Sequence, residues 1–336
     1  MNDLPVEEIV RPPLIDVCGS ALGAEGWWAS LHGFLTHAPD FLASFGAGLA
    51  RAAELDPREV RARLASDPER ALDELAQGLG VDVDTHAQQL RAGGFRLQVL
   101  HGGWHPLASG VGNLNDHVLE RAARHPDVLQ AWCGVDPRDG ASAVAEIERC
   151  AALGARGVTV IPFLTGSDAE SAACHQIYAR AAELGLPVWL HCGLNVARGA
   201  AMTTPAQLDR IAFAHGELRL LAGHGGWPWV QELVAVMMRQ PNVYLDTSAH
   251  NPALMAAPGS GWEPLLHQLR GPLRRRVLFG SASIVHGVPA QRFADGVLRL
   301  GLPEPLVRGW LHDNAACLLA LGTTREGGLE HGTFRT

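Results

Sequence analysis

The sequence predicts an α/β fold, a (β/α)8 TIM barrel with a helical insertion after its first strand. Three observations point there. Short apolar runs alternate with amphipathic stretches along most of the chain. The runs are apolar on both faces, as strands of a fully buried parallel sheet are. They number eight, each followed by a crossover, which suffices to close a barrel. With 47% hydrophobic and only 18% charged residues, against about 25% charged in a typical domain, the chain has the core for one barrel domain over its 336 residues.

The first strand is LIDVCGS (14–20). An insertion follows, roughly 21–81, carrying Trp27, Trp28 and a charged stretch (DPREVRARLASDPERALDELAQGLG) that reads as two short helices. An insertion after a barrel strand sits over the C-terminal mouth, so a lid or a dimer contact is expected. RLQVLHG (96–102) is the second strand, and NDHVLERAARHP (115–126) the helix after it. VLQAWCGVDP (128–137) is the third, followed by ASAVAEIERCAALG (141–154), a helix stopped by glycine. GVTVIP (157–162) precedes another glycine-stopped helix, SAACHQIYARAAELG (171–185). LPVWLHCG (186–193), LRLLAGHGG (218–226), NVYLDTSA (242–249) and RVLFGSA (276–282) complete the set. The tail 322–336 is glycine-rich and polar and is expected to be disordered.

Composition removes several functions. A net charge of −8, with Arg274–Arg276 as the only basic run, leaves no electrostatic footprint for nucleic acid. All 27 basic residues are arginine. Without lysine there is no Schiff-base or pyridoxal phosphate chemistry, no P-loop and no carboxylated-lysine metal bridge. MNDLPVEEIVRPP lacks the pattern of a signal peptide, and no apolar run approaches the roughly 18 residues of a membrane span. The six cysteines form no CxxC pair. A reduced, cytoplasmic protein acting on a small molecule, away from membranes, is the expectation.

Side chains at strand C-termini point into the mouth of such a barrel. This places Asp16, Cys18 and Ser20 there, with His101, Asp136, Thr159, His191, His224, Asp246 and Ser281 around the ring. His191 and His224 suit a general acid and base, since histidine titrates near neutrality. Asp246 is placed to orient one of them. Cys18 has three readings: a nucleophile activated by a histidine, a metal ligand, or a buried packing residue. His-Gly-Gly-Trp occurs twice, at His101–Trp104 and His224–Trp227. Its glycines let the chain turn sharply and bring histidine and tryptophan over one mouth. With Trp27, Trp28, Trp189 and Trp229, Trp104 and Trp227 then make an aromatic pocket for a flat or apolar ligand, or several of these tryptophans pack helices against the barrel. Trp189 points either into it or into the helix layer.

In order and spacing, GVDPRDGASAVAEIERCAALGARGV, LGLPVWLHCG, AGHGGWPWVQE, NVYLDTSA, RVLFGSA and HDNAACLLAL resemble the amidohydrolase superfamily. The similarity is to the amidohydrolase-related branch that includes aminocarboxymuconate-semialdehyde decarboxylase, and it runs from about Leu14 to Leu321. It implies a metal-water or acid–base site at a barrel mouth, commonly in a homodimer. The ligand positions depart from the family. Asp-x-His-x-His of strand 1 is Asp16-Val17-Cys18-Gly19-Ser20 here, and Gly-Ser-Asp of strand 8 is Gly280-Ser281-Ala282. Only His191 and His224 keep the family identities, so metal-free chemistry is favoured. Zinc on Cys18, His191 and His224 is the alternative, three protein ligands being what a catalytic zinc takes. The leading expectation is hydrolysis of an ester, lactone or amide of a small aromatic or apolar molecule. A metal-independent cyclase, dehydratase or isomerase, a decarboxylase using Arg198 for the substrate carboxylate, and a non-catalytic binding barrel are the alternatives.

Overall fold

A computed structural model describes residues 11–321; the tail expected to be disordered, 322–336, lies outside them. The eight strands are β1 (Leu14–Gly19), β2 (Phe95–His101), β3 (Leu129–Gly134), β4 (Val158–Val160), β5 (Val188–His191), β6 (Leu220–Gly223), β7 (Val243–Asp246) and β8 (Val277–Leu278). They form one sheet in sequence order, and every neighbouring pair is parallel. β8 returns to β1 through Val17 N–H donating to the Phe279 carbonyl at 2.9 Å and Ala282 N–H to that of Cys18 at 2.8 Å. The predicted barrel is the observed fold.

The barrel interior is filled, not hollow. Trp132 and Trp189 pack there with Ile15, Val17, Val99 and Leu278. Room for the two indoles comes from glycine: a Cβ at Gly157 would stand 2.3 Å from the Trp132 ring, and one at Gly223 2.3 Å from that of Trp189. Trp189 thus points into the barrel and not into the helix layer.

The insertion holds more helix than the sequence pattern revealed. Within it, after α1 (Ala24–His37) and α2 (Asp40–Ala52), come α3 (Pro57–Ser66) and α4 (Pro68–Leu79), the two predicted; α5 (Val83–Ala92) follows beyond the insertion and leads into β2. Two Asp-Pro pairs start α3 and α4. Asp56 accepts from Arg58 N–H at 2.7 Å and Asp67 from Arg70 N–H at 3.4 Å, with proline at the first helical position. α1 and α2 carry no clear sequence signal, because their apolar and small residues are spread over most of the helix surface, which blurs the period of 3.6. Both cover the C-terminal mouth. Gly48 of α2 lies so close to the β8 loop that a Cβ there would meet the Val285 carbonyl oxygen at 1.9 Å. Past β2 the crossover helices α6 (Leu114–Arg124) and α7 (Ala141–Ala152) flank β3.

Candidate active site

A cavity of about 440 Å³ lies between the strand ends and helices α1 and α2. Cys18, Ser20, His101, Thr159, His191 and His224 face it from the strand ends. Trp27, Trp104 and Trp227 contribute to its walls.

His224 has one ring nitrogen fixed and one free. Its Nδ1 lies 2.8 Å from Ser248 Oγ and 3.3 Å from the Ser248 carbonyl oxygen. A carbonyl only accepts, so the proton is assigned to Nδ1 and the lone pair to Nε2. Ser248 is in turn held by its own N–H, which donates to Asp246 Oδ1 at 2.8 Å. His191 sits beside His224 with ring centroids 5.0 Å apart and Phe163 edge-on at 4.6 Å. Burial pushes both imidazoles below the usual histidine range. For His191 the neighbouring His224 adds to this; for His224 the Asp246 charge pulls partly back. Both are therefore neutral at physiological pH.

His101 is engaged at both nitrogens, with Nδ1 at 2.7 Å from Thr159 Oγ1 and Nε2 at 2.9 Å from the Val17 carbonyl oxygen. The carbonyl fixes the proton on Nε2, so the Thr159 hydroxyl donates to Nδ1. His101 is a strut between β1 and β4, with no nitrogen left for a ligand.

Several expectations are corrected. Asp246 touches neither histidine: its Oδ2 accepts from Trp189 Nε1 at 2.6 Å, and it reaches His224 only through Ser248. Arg198 is on the surface with its side chain 90% exposed, and its Nε donates to Asp40 Oδ1 at 2.9 Å. It clasps the loop after β5 to the start of α2 and does not line the cavity. Trp28 stacks on His32 at 4.8 Å, away from the cavity, because it faces opposite to Trp27 on α1. Cys18 does line the cavity, but burial and the charges of Asp246 and Asp16 push its thiol well above the usual range. That does not suit an activated nucleophile. Asp136 caps a short turn instead, accepting from Arg138 N–H at 2.9 Å. Asp16 lies below the cavity, where Ser281 N–H and Oγ donate to it at 2.8 and 2.7 Å and tie β8 to β1.

Ser248, His250 and the phenylalanines of α1 and α2 were not singled out in the sequence. Phe34 and Phe41 stack at 3.9 Å on the far wall. The signal for Ser248 was the polar triplet Asp246-Thr247-Ser248 closing β7, where any side chain aimed upward meets the mouth.

The amidohydrolase family model matches residues 28–321, most of the chain and the whole barrel after β1. The chain belongs to the amidohydrolase family. No curated protein matches it by sequence. Among solved structures it is similar to a TIM-barrel protein of Bordetella bronchiseptica, with TM-score 0.64 and 23% identity over 91% of this chain and 98% of the other. It is also similar to the 5-carboxyvanillate decarboxylase of Novosphingobium aromaticivorans, with manganese and a nitrobenzoic acid ligand (TM-score 0.59, 17% identity, 92% and 96% covered). A third is the 2,6-dihydroxybenzoate decarboxylase of Rhizobium (TM-score 0.55, 18% identity, 79% and 95% covered). At these identities the likeness establishes the fold.

Among the described residues, the group of three His, Cys, Asp or Glu donors within 4.8 Å of one another is Cys133, Glu146 and Cys150, between β3 and α7. Cys18, His191 and His224 do not converge in that way. As they are arranged here, these three side chains do not offer a three-ligand set to one metal ion.

Proposed function

We propose that this amidohydrolase hydrolyses an ester, lactone or amide of a small aromatic or apolar molecule, with His224 as general base and His191 as its partner. One observation carries the reading. Two neutral imidazoles stand 5.0 Å apart on the cavity wall, one with its tautomer set by Ser248. Nε2 of His224 takes a proton from water as its oxygen bonds to the substrate carbonyl carbon. The N–H of His191 donates to the carbonyl oxygen as negative charge develops there. His224 then returns the proton to the leaving oxygen or nitrogen as its bond to carbon breaks, and both imidazoles end neutral.

A second reading has its own support. The apolar cavity, roofed by α1 and α2, also suits a cyclisation, dehydration or isomerisation in which one histidine takes a proton and the other gives one. Decarboxylation finds less support, because among the described residues no cationic side chain lines the cavity and Arg198 is held by Asp40. The test is turnover of an ester and lactone panel in ¹⁸O-water by the wild type, His191→Ala and His224→Ala. Label in the product acid, with at least about a 100-fold loss in both variants, is the expected result. Unlabelled product points to the second reading; undiminished turnover in both variants overturns the assignment of the histidines. A homodimer in a reducing cytoplasm belongs to this proposal, in keeping with six unpaired cysteines, and sedimentation reads the dimer directly.

A further inference from the structure

Among the described residues, no ionic side chain lines the cavity. Among its lining residues there is no Asp, Glu or Arg, and the chain has no lysine. What remains polar is neutral: hydroxyl, thiol and amide groups such as Ser20, Cys18 and Asn195, together with five histidines. His105 and His250 sit among aromatic rings, Trp104 at 4.4 Å from the first and Trp262 at 5.1 Å from the second. Beneath the floor lie two buried carboxyl groups, Asp16 and Asp246, each hydrogen-bonded by neighbours. An anion entering here would lose its water, gain no cation and approach the Asp246 charge.

The polar groups are also sorted by position. His191 and His224 lie at the strand ends, whereas α1 and α2 offer Leu31, Phe34, Phe41, Phe45 and Leu49 from above. A ligand is thus met by hydrogen-bonding groups at one end and by rings at the other.

We propose that the cavity selects an uncharged ring compound, bound with its neutral polar group toward His191 and His224 and its apolar body against Phe34 and Phe41. This inference deepens the hydrolase reading and rests on its choice of site. It separates this chain from the decarboxylase it resembles, whose bound ligand is a nitrobenzoic acid. The absence of a countercharge does the selecting: a carboxylated version of a good ligand is excluded by its charge, not by its size.

Four tryptophans line the cavity, so binding is read by quenching of intrinsic fluorescence without any turnover. The probes are methyl naphthoate and naphthoate at neutral pH, which share a ring system and differ in charge. The ester is expected to bind at least about 100-fold more tightly than the acid. Phe41→Ala should weaken the ester, and Leu194→Arg, on the exposed rim, should narrow the gap by admitting the acid. Equal binding of the two probes by the wild type overturns the proposal, and so does failure of the ester to bind. His224→Ala should keep the preference for the ester. A preference for the ester in a wild type that hydrolyses none of the panel would sink the catalytic reading and leave this one standing.

Discussion

The tetrapeptide His-Gly-Gly-Trp stands at two strand ends, and the two copies do different work. After β2, His101 is bonded at both nitrogens and joins Val17 to Thr159. After β6, His224 has only Nδ1 engaged, by Ser248. The glycines differ as well. Gly225 and Gly226 adopt φ of +61° and +64°, the left-handed turn that brings Trp227 over the cavity. Gly102 is needed for proximity instead, because a Cβ there would meet Asn115 Oδ1 at 2.3 Å. Identical local sequence fixes where the histidine and tryptophan go. What the histidine can do depends on groups supplied by other strands.

The largest contrast should appear when each histidine is removed. His224→Ala is expected to lower kcat/KM by about 10²–10⁴-fold with little change in Tm, since the loss is a working base. His101→Ala should do the reverse. It leaves the Thr159 hydroxyl and the Val17 carbonyl unpaired and is expected to cost about 2–4 kcal/mol of stability, read by urea unfolding. If His101→Ala proved stable and inactive, the strut and the base would have been assigned the wrong way round.

Ser248→Ala asks how much of the difference lies in the tautomer. Without Oγ, His224 Nδ1 keeps only the longer contact to the carbonyl, and the ring is free to carry its proton on Nε2. A fall in kcat of about tenfold is expected, with KM nearly unchanged, the scale at which an outer partner of a working histidine acts. A fall in stability with kcat untouched would make Ser248 a packing residue.

These results also bear on what a sequence discloses. All eight strands were legible because buried parallel strands have no polar face, and the apolar runs survive any detail of packing. Both copies of the tetrapeptide are visible, and so are the departures at Cys18, Ser20 and Ala282 from the ligand pattern that the resemblance implies. The clasp between Arg198 and Asp40 was not. It joins residues 158 positions apart, and nothing near Arg198 records what its guanidinium will meet. Trp28 misled for a related reason: adjacent residues on a helix point to different sides, and the helix itself was hidden by an apolar pattern without a stripe. Asp246 was placed correctly at the end of β7, yet its partner is the indole of Trp189. No local pattern distinguishes an indole that turns inward from one that packs against helices.

Acid should affect the two halves of the site together, and its sign follows from burial. His101, His191 and His224 are pushed below the ordinary histidine value, His105 to about 4 and His250 to about 3. The unfolded chain thus binds more protons than the folded one below about pH 6.5. Stability is fully present above that pH and is lost as pH falls toward the folded values. The acid limb of kcat/KM should likewise lie below 6.5, as His224 must stay neutral to accept a proton. Asp246→Asn, removing the charge that raises His224, should move that limb lower still. A limb at or above 6.5 would mean a base other than this histidine.

The smallest effect is expected from Arg198→Ala. Its side chain is almost fully exposed and its ion pair with Asp40 is screened by solvent, the setting in which ion pairs contribute least. Tm should not move measurably. Turnover of an uncharged substrate should also persist, because the guanidinium lies outside the cavity and no step of the proposed chemistry needs a cation. Asp40 also accepts from the Arg198 backbone N–H at 2.9 Å, so the loop keeps one tie to α2 after the substitution. Removing both ties, with Asp40→Ala, is the sharper variant. If the clasp governs entry, Asp40→Ala should raise the rates of ligand association and dissociation together, leaving the equilibrium constant nearly fixed. A loss of affinity confined to carboxylated probes in Arg198→Ala would instead place the guanidinium at the ligand, and the cavity would have to close differently around an anion.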